Sequence, residues 1–343
     1  MSPLIWALLI TGLSTSTIIT MSSYHWLLAW VGLELNTLNI LPLIMKSTHP
    51  RATEAATKYF LIQAMAAALI LFSSTLAAWT TGQWHISHTP APTVTATLTL
   101  AIMMKLGLAP THAWYPEVLQ GSTMTTALLM ATWQKLAPLT LLYMMDPHLP
   151  PTIMLLLGAS SALIGGWGGL IQTQTRKIMA FSSIAHMGWL VIALNINPAL
   201  ATLALAIYTI ATTAMFTSLN TTTTKTLTDV GTMWTQSPLL ATLTALTLMS
   251  LGGLPPMTGF TPKWLILSEL CSMKLILLST VMALASLPSL YFYIRMSYFT
   301  MLTAPPTTTA TEYKWRFTAP LNPSLPLTAT LATLLLPMTP LLI

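Results

Sequence analysis

Stretches of about twenty mostly apolar residues recur along the whole chain, separated by short polar or proline-bearing breaks. That repetition constrains the fold more than any single motif. A helix needs about 20 such residues to cross roughly 30 Å of hydrocarbon, so 343 residues leave room for about eleven crossings. The spacing predicts spans at 3–20, 25–45, 57–80, 92–120, 123–144, 151–170, 178–195, 198–219, 238–270, 275–300 and 324–342. Turn and polar signals separate them at Ser22-Ser23, Ser47 to Pro50, Gly82 to Pro92, Asp146-Pro147, Asn195 to Pro198 and Thr221 to Gly231. The expected fold class is an all-α polytopic membrane protein, with the first span read as mature helix rather than a signal peptide.

Charge agrees with that reading. Only 6% of residues are charged and 54% are hydrophobic, whereas a soluble domain needs about 25% charged residues to solvate its surface. A large water-soluble domain is excluded. The net charge of +6 is a small remainder on an apolar body, with no basic stripe to follow a phosphate backbone. The single cysteine, Cys271, permits no internal disulfide, thiolate zinc site or Cys-ligated iron–sulfur cluster. No glycine-rich phosphate cradle, nucleophile elbow or metal-ligand spacing stands in the sequence. The run Gly165-Gly-Trp-Gly-Gly169 suits close helix packing instead.

The basic residues sort to one face. With eleven spans, Lys46, Arg51, Lys58, Arg176, Lys177, Lys225, Lys314 and Arg316 share a side, Arg295 leans the same way, and only Lys274 lies opposite. The N-terminus is therefore expected inside and the C-terminus outside. Trp26, Trp79 and Tyr291 near span ends read as interfacial anchors.

Two stretches are too long for one helix and carry helix breakers: Lys105-Leu-Gly-Leu-Ala-Pro-Thr-His-Ala-Trp-Tyr-Pro116 and Leu251-Gly-Gly-Leu-Pro-Pro-Met-Thr-Gly-Phe-Thr-Pro-Lys263. They occupy corresponding places in two similar halves, the mark of a transport site built from an internal repeat. Simple proline kinks would use the same residues. The expected organisation is a first five-helix repeat over 1–145, a second, inverted one over 150–300, each with one broken helix, and a connecting loop with a C-terminal helix over 301–343.

Sorting the loop charges leaves Glu34, Lys105, Lys135 and Lys263 inside the membrane. Each would cost roughly 2.5–3.5 kcal/mol facing lipid alone, on the order of 10–14 kcal/mol together. That rivals the whole stability of a domain, about 5–15 kcal/mol, so these groups should face one another, water or helix ends. Loss of water penalises charge and a nearby opposite charge relieves the penalty. A Glu34–Lys105 pair would act as a switch: together both stay charged, apart the lysine can release its proton. Lys135, central in the fifth span with no breaker beside it, and Lys263 are candidates to pass a proton on. The carbonyls ending each half-helix suit a cation. Purely structural neutralisation is the alternative for each. His186 is the best histidine relay candidate, with a packing role equally open, and His112, in the first break, could gate it. His25, His49, His85, His88 and His148 sit in connections, and Glu117 and Glu269 near outer helix ends.

Gly32-Leu-Glu34, Lys105 to Trp114, Ser182-Ser-Ile-Ala-His-Met-Gly-Trp189, and Gly252 to Phe260 with Lys263, taken in order, resemble the antiporter-like subunits of respiratory complex I over nearly the whole chain. The likeness points to a vertebrate member, of a bird or reptile. Skewed composition, with 22 Met and scarce Lys, fits coding in an animal mitochondrial genome. The resemblance implies a proton-pumping membrane-arm subunit in the mitochondrial inner membrane, with the N-terminus on the matrix side and the C-terminus on the intermembrane side. It implies Glu34 as the helix-borne glutamate, Lys105 as its paired lysine, Lys135 as the connecting lysine, Lys263 as the lysine of the second broken helix and His186 as the central histidine. NADH, FMN, iron–sulfur clusters and ubiquinone would be bound by other subunits, chains 4 and 4L and accessory subunits would be neighbours, and cardiolipin would lie beside the basic face. Family members usually have fourteen helices, and eleven fit the animal version lacking the first three. A stand-alone cation/proton antiporter and a passive spacer are the competing functions.

Overall fold

The computed structural model describes residues 2–47, 49–87, 91–302 and 323–337, and every described element is helical apart from two isolated bridges. The chain divides into two compact units, Met1–Ser161 and Ala162–Ile343. Among the described residues seven helices are long and apolar enough to cross a membrane unaided. His88, Lys314, Arg316 and the end of the expected last span lie outside the described residues.

In the first unit, α1 (Pro3–Ser22), α2 (Trp26–Ile44) and α3 (Pro50–Thr81) follow one another and pack in sequence order. α3 begins at Pro50 rather than at 57, because the His49 ring accepts the Arg51 N–H as N-cap and Pro50 has no N–H to leave unsatisfied there. His25 caps α2 in the same way through Leu27. α1 and α2 touch where Gly32 meets Thr20, whose methyl group would lie 2.5 Å from an added Cβ. The expected fourth span is α4 (Pro92–Leu106) followed, after a turn, by α5 (Trp114–Gly121). The fifth is α6 (Met124–Ala131), a 3₁₀ turn at Trp133–Lys135, and α7 (Leu136–Met144). α7 packs against α1, α2 and α4.

Trp26 corrects an expectation. It is fully buried, not interfacial, because the 83–87 segment folds over the start of α2: Trp26 N–H donates to the Trp84 carbonyl and the His25 ring stacks on Trp84. Trp79 and Tyr291 are exposed.

α8 (Pro151–Leu170) runs into the second unit, where α9 (Thr175–Ile196), α10 (Pro198–Thr221), short α11 (Leu227–Gly231) and α12 (Met233–Gln236), α13 (Pro238–Gly252), α14 (Phe260–Ser272), α15 (Ile276–Met301) and α16 (Ser324–Leu334) follow. The α8 glycines do pack helices closely. A Cβ on Gly165 would lie 2.6 Å from the Ala185 backbone nitrogen on α9, and Gly166 sits on the α15 backbone at Ala285. Gly168 and Gly169 receive the rings of Phe181 and Phe292. α10 and α13 both contact α16, and α14 contacts α9, α10 and α15.

The loop before α13 is held by a capping box. Asp229 N–H donates to the Thr226 hydroxyl, and Asp229 Oδ2 accepts the Thr226 N–H at 2.8 Å and the Lys225 N–H at 3.1 Å. The Thr226 backbone donor is the main cause that holds the Asp229 carboxyl below its ordinary value, with the Thr226 hydroxyl and Lys225 adding to it. A depressed carboxyl stabilises the folded form fully above its unfolded value of about 3.9, and the contribution is lost as pH falls through the folded value. Amide protection factors across 227–231, taken relative to the intrinsic exchange rate at each pH, should therefore fall on acidification. Thr226→Ala should cost this turn about 0.5–2 kcal/mol, read as faster exchange at neutral pH.

Candidate functional site

Each unit contains an interrupted helix that ends in the same way. α4 stops at Gly107 (φ 73°) and α13 at Gly253 (φ 79°), both in the left-handed region that glycine adopts without strain. Backbone donors fold back on both: Leu108 N–H reaches Met103 O, and Leu254 N–H reaches Met249 O. The two breaks are true terminations, not kinks. Pro42 and Pro288, by contrast, sit inside continuous helices.

In the first unit Lys105 lies in the last turn of α4, 7% exposed, and its Nζ has no hydrogen-bond partner among the described residues. Glu34, half-buried on α2, acts on it electrostatically, yet no Glu34–Lys105 ion pair within 4 Å occurs among the described residues. Instead the Glu34 carboxylate accepts the Thr37 hydroxyl at 2.9 Å. The switch geometry therefore stands apart rather than closed.

Lys135 is buried at 3% exposure, but its setting departs from the expected mid-helix position. It occupies the 3₁₀ turn between α6 and α7. Pro138, three residues on, has no N–H to give the Gln134 carbonyl, so the helix is already weakened there. That proline is the sequence signal for a third break. Lys135 Nζ lies 5.2 Å from the Tyr115 ring centroid, within cation–π range, and Gln134 Nε2 donates to Asn36 Oδ1 at 3.1 Å.

Lys105 and Lys135 line one cavity together with Asn36, Tyr59, Gln63 and Tyr115. It offers about 20 Å³ to water centres, room for about one water. Gln63 also donates to the Lys105 carbonyl at 3.4 Å. The amides and tyrosines were not singled out from sequence; an Asn, Gln or Tyr deep in an apolar span needs a partner, and that need is their signal. His112, half-buried in the first break, is not among the cavity-lining residues, and its Nδ1 has no hydrogen-bond partner.

In the second unit Lys263 stands in the first turn of α14 and donates to the Gly252 carbonyl at 2.8 Å, the last residue of α13. A cation thus rests on a helix C-terminus, where the backbone dipole favours it. His186 on α9 hydrogen-bonds the Tyr293 hydroxyl at 3.2 Å and packs beside Tyr208. His186, Tyr208 and Lys263 line one cavity with about 30 Å³ for water centres, again enough for a water molecule or two. Tyr208 and Tyr293 are further members of the site that sequence reading missed. Among the described residues no cluster of His, Cys, Asp or Glu is arranged to hold a metal.

These features define a polytopic helical membrane protein of the transporter kind, with lysines buried at helix breaks beside small polar cavities. Residues 23–288 match the family described as NADH:quinone oxidoreductase/Mrp antiporter, transmembrane, and residues 290–343 the NADH dehydrogenase subunit 2 C-terminus. Proteins named NADH-ubiquinone oxidoreductase chain 2 are similar throughout. The ostrich (Struthio camelus) protein is 50% identical over 97% of this chain and 96% of its own length, and the Carassius auratus protein 52% over 99% and 98%. The Xenopus laevis protein is 51% identical over 92% of each. That spread fits a vertebrate and does not single out a bird or reptile. A chain of respiratory complex I from Thermus thermophilus, solved with bound aureothin, superposes with a TM-score of 0.83 at 27% identity, over 97% of this chain and 79% of that one. A chain of the Mrp complex from Dietzia sp. shares the fold at a TM-score of 0.80 and 18% identity, over 88% of this chain and 62% of that one. The chain belongs to the NADH:quinone oxidoreductase/Mrp antiporter transmembrane family and, within it, to the NADH-ubiquinone oxidoreductase chain 2 group.

Proposed function

We propose that the chain is a membrane-arm subunit of respiratory complex I and takes part in proton translocation across the mitochondrial inner membrane. Electron transfer from NADH to ubiquinone runs on other subunits, which hold the FMN, iron–sulfur clusters and ubiquinone. The observation that carries this reading is the first cavity: Lys105 from the end of α4 and Lys135 from the 3₁₀ turn line one water-sized polar space. Buried ionisable groups so placed mark proton paths.

In this reading Glu34, Lys105 and Lys135 serve the first unit, with the Glu34–Lys105 separation as the element that a redox event elsewhere in the complex shifts. His186 and Lys263 serve the second, and His112 gates the first break. The chain carries two five-helix repeats of inverted topology, over 1–145 and 150–300, followed by a last helix. The N-terminus faces the matrix and the C-terminus the intermembrane space. Chains 4 and 4L and accessory subunits are the neighbours, with cardiolipin beside the basic face.

Lys105→Met in the assembled complex tests the reading. Assembly should be kept and proton-coupled quinone reductase activity reduced severalfold, measured as protons moved and NADH oxidised in membrane vesicles. Unchanged activity and proton-to-electron ratio would favour a passive spacer. Sodium transport by the purified chain in proteoliposomes would favour an independent antiporter.

A further inference from the structure

We infer that the C-terminal helix positions the second relay lysine, through the Ala332 carbonyl of α16, which clasps hydroxyls on both arms of the second break. The inference rests on the reading that Lys263 moves protons. Ala332 lies in the last turn of α16, where carbonyls lack a partner within the helix. Ser250, two residues before the end of α13, donates its hydroxyl to that carbonyl at 2.6 Å. Thr258, two residues before the start of α14, donates its hydroxyl to the same oxygen. Ser250, Thr258 and Ala332 are all buried.

Both arms close at the same place. Gly259 N–H donates to Ser250 Oγ at 3.3 Å, and a Cβ on Gly259 would lie 1.8 Å from the Ser250 carbonyl oxygen. Two residues beyond Ser250 is Gly252, whose carbonyl receives Lys263. Ser250, Gly259 and Lys263 line the cavity that also holds His186. In a medium this apolar each such hydrogen bond is strong and each missing one costly, so the shared carbonyl fixes the spacing of α13 and α14 and with it the seat of the lysine. Lys105, at the first break, makes no comparable bond to a carbonyl. The second lysine's Nζ rests on a carbonyl whose helix end is held by a third helix, whereas among the described residues the first lysine's Nζ rests on none. Ser250, Thr258 and Ala332 are positioning residues.

Thr258→Val in the assembled complex keeps the side-chain shape and removes the hydroxyl, whereas Thr258→Ser keeps the hydroxyl. The valine variant should assemble to normal abundance and show a loss in protons moved per electron, and the serine variant should restore that ratio. A purely structural role would change abundance but not the ratio per assembled complex. Amide exchange across 253–262 should run about tenfold faster in the valine variant, as expected for loss of a buried hydrogen bond. A wild-type ratio together with unchanged exchange overturns the clasp. Lys263→Met separates the two levels. If it lowers the ratio while Thr258→Val does not, the clasp alone fails; if Lys263→Met leaves the ratio unchanged, the relay reading fails and the clasp with it.

Discussion

Replacing Lys135 by methionine should lower proton-coupled turnover by about a hundredfold, the lower end of what removing a positioned proton-transfer group costs. The same change should leave the protein at least as stable as before. Lys135 is buried at 3% exposure in the 3₁₀ turn, with the Tyr115 ring as its recorded cation–π contact. Methionine matches its length and flexibility, and it spares the desolvation that burying an ammonium group costs. A residue retained for structure would behave in the opposite way. The measurements are NADH oxidation and proton uptake by sealed vesicles, with abundance of the complex on a native gel. A methionine variant that assembles poorly yet pumps normally per complex would show Lys135 to be structural.

The second large effect concerns packing. Gly165→Ala should reduce the amount of assembled protein sharply, while Gly252→Ala should be neutral or mildly stabilising. An added Cβ at Gly165 meets three backbone atoms of α9, the Ala185 nitrogen and Cα at 2.6 and 2.9 Å and the Phe181 carbonyl oxygen at 2.9 Å. No side chain can rotate away, so α8 and α9 must separate. Overpacking of this kind costs about 1–3 kcal/mol, and in a membrane close backbone packing is a large part of what holds helices together. At Gly252 the nearest atoms are those of Tyr293, at 3.8 and 3.9 Å, an ordinary contact, and alanine is up to about 1 kcal/mol better than glycine within a helix. Thermal inactivation midpoints of the two variants should move in opposite directions. Equal loss in both would mean that glycine flexibility, not contact distance, matters at these sites.

Much of this architecture was legible because lipid permits few solutions. Apolar length located the helices, and the Gly107 and Gly253 breaks showed themselves through residues that a helix cannot absorb. The four charges within the expected spans stood out by their cost. What stayed hidden depends on long-range contact. The Lys135 turn was read as continuous helix, although Pro138 had weakened it. Pro42 and Pro288 explain the difficulty, since each sits within an unbroken helix, so the letter alone does not decide. Trp26 looked interfacial from its place near a span end, and only the fold shows the 83–87 segment that covers it. The tyrosines beside Lys135 and His186 carry no local signature, since only folding brings Tyr115 and Tyr293 to them.

The glycine run of α8 has a mechanical corollary. Gly165 and Gly168 receive α9, while Gly166 and Gly169 receive α15, so this helix is notched on two flanks like a key seated in two slots. It cannot turn about its own axis without driving backbone into backbone. Because α9 carries His186 and α15 carries Tyr293, the imidazole and phenol ride on one stiff block. Any stroke within this unit must therefore be sought in the travel of α14 relative to that block.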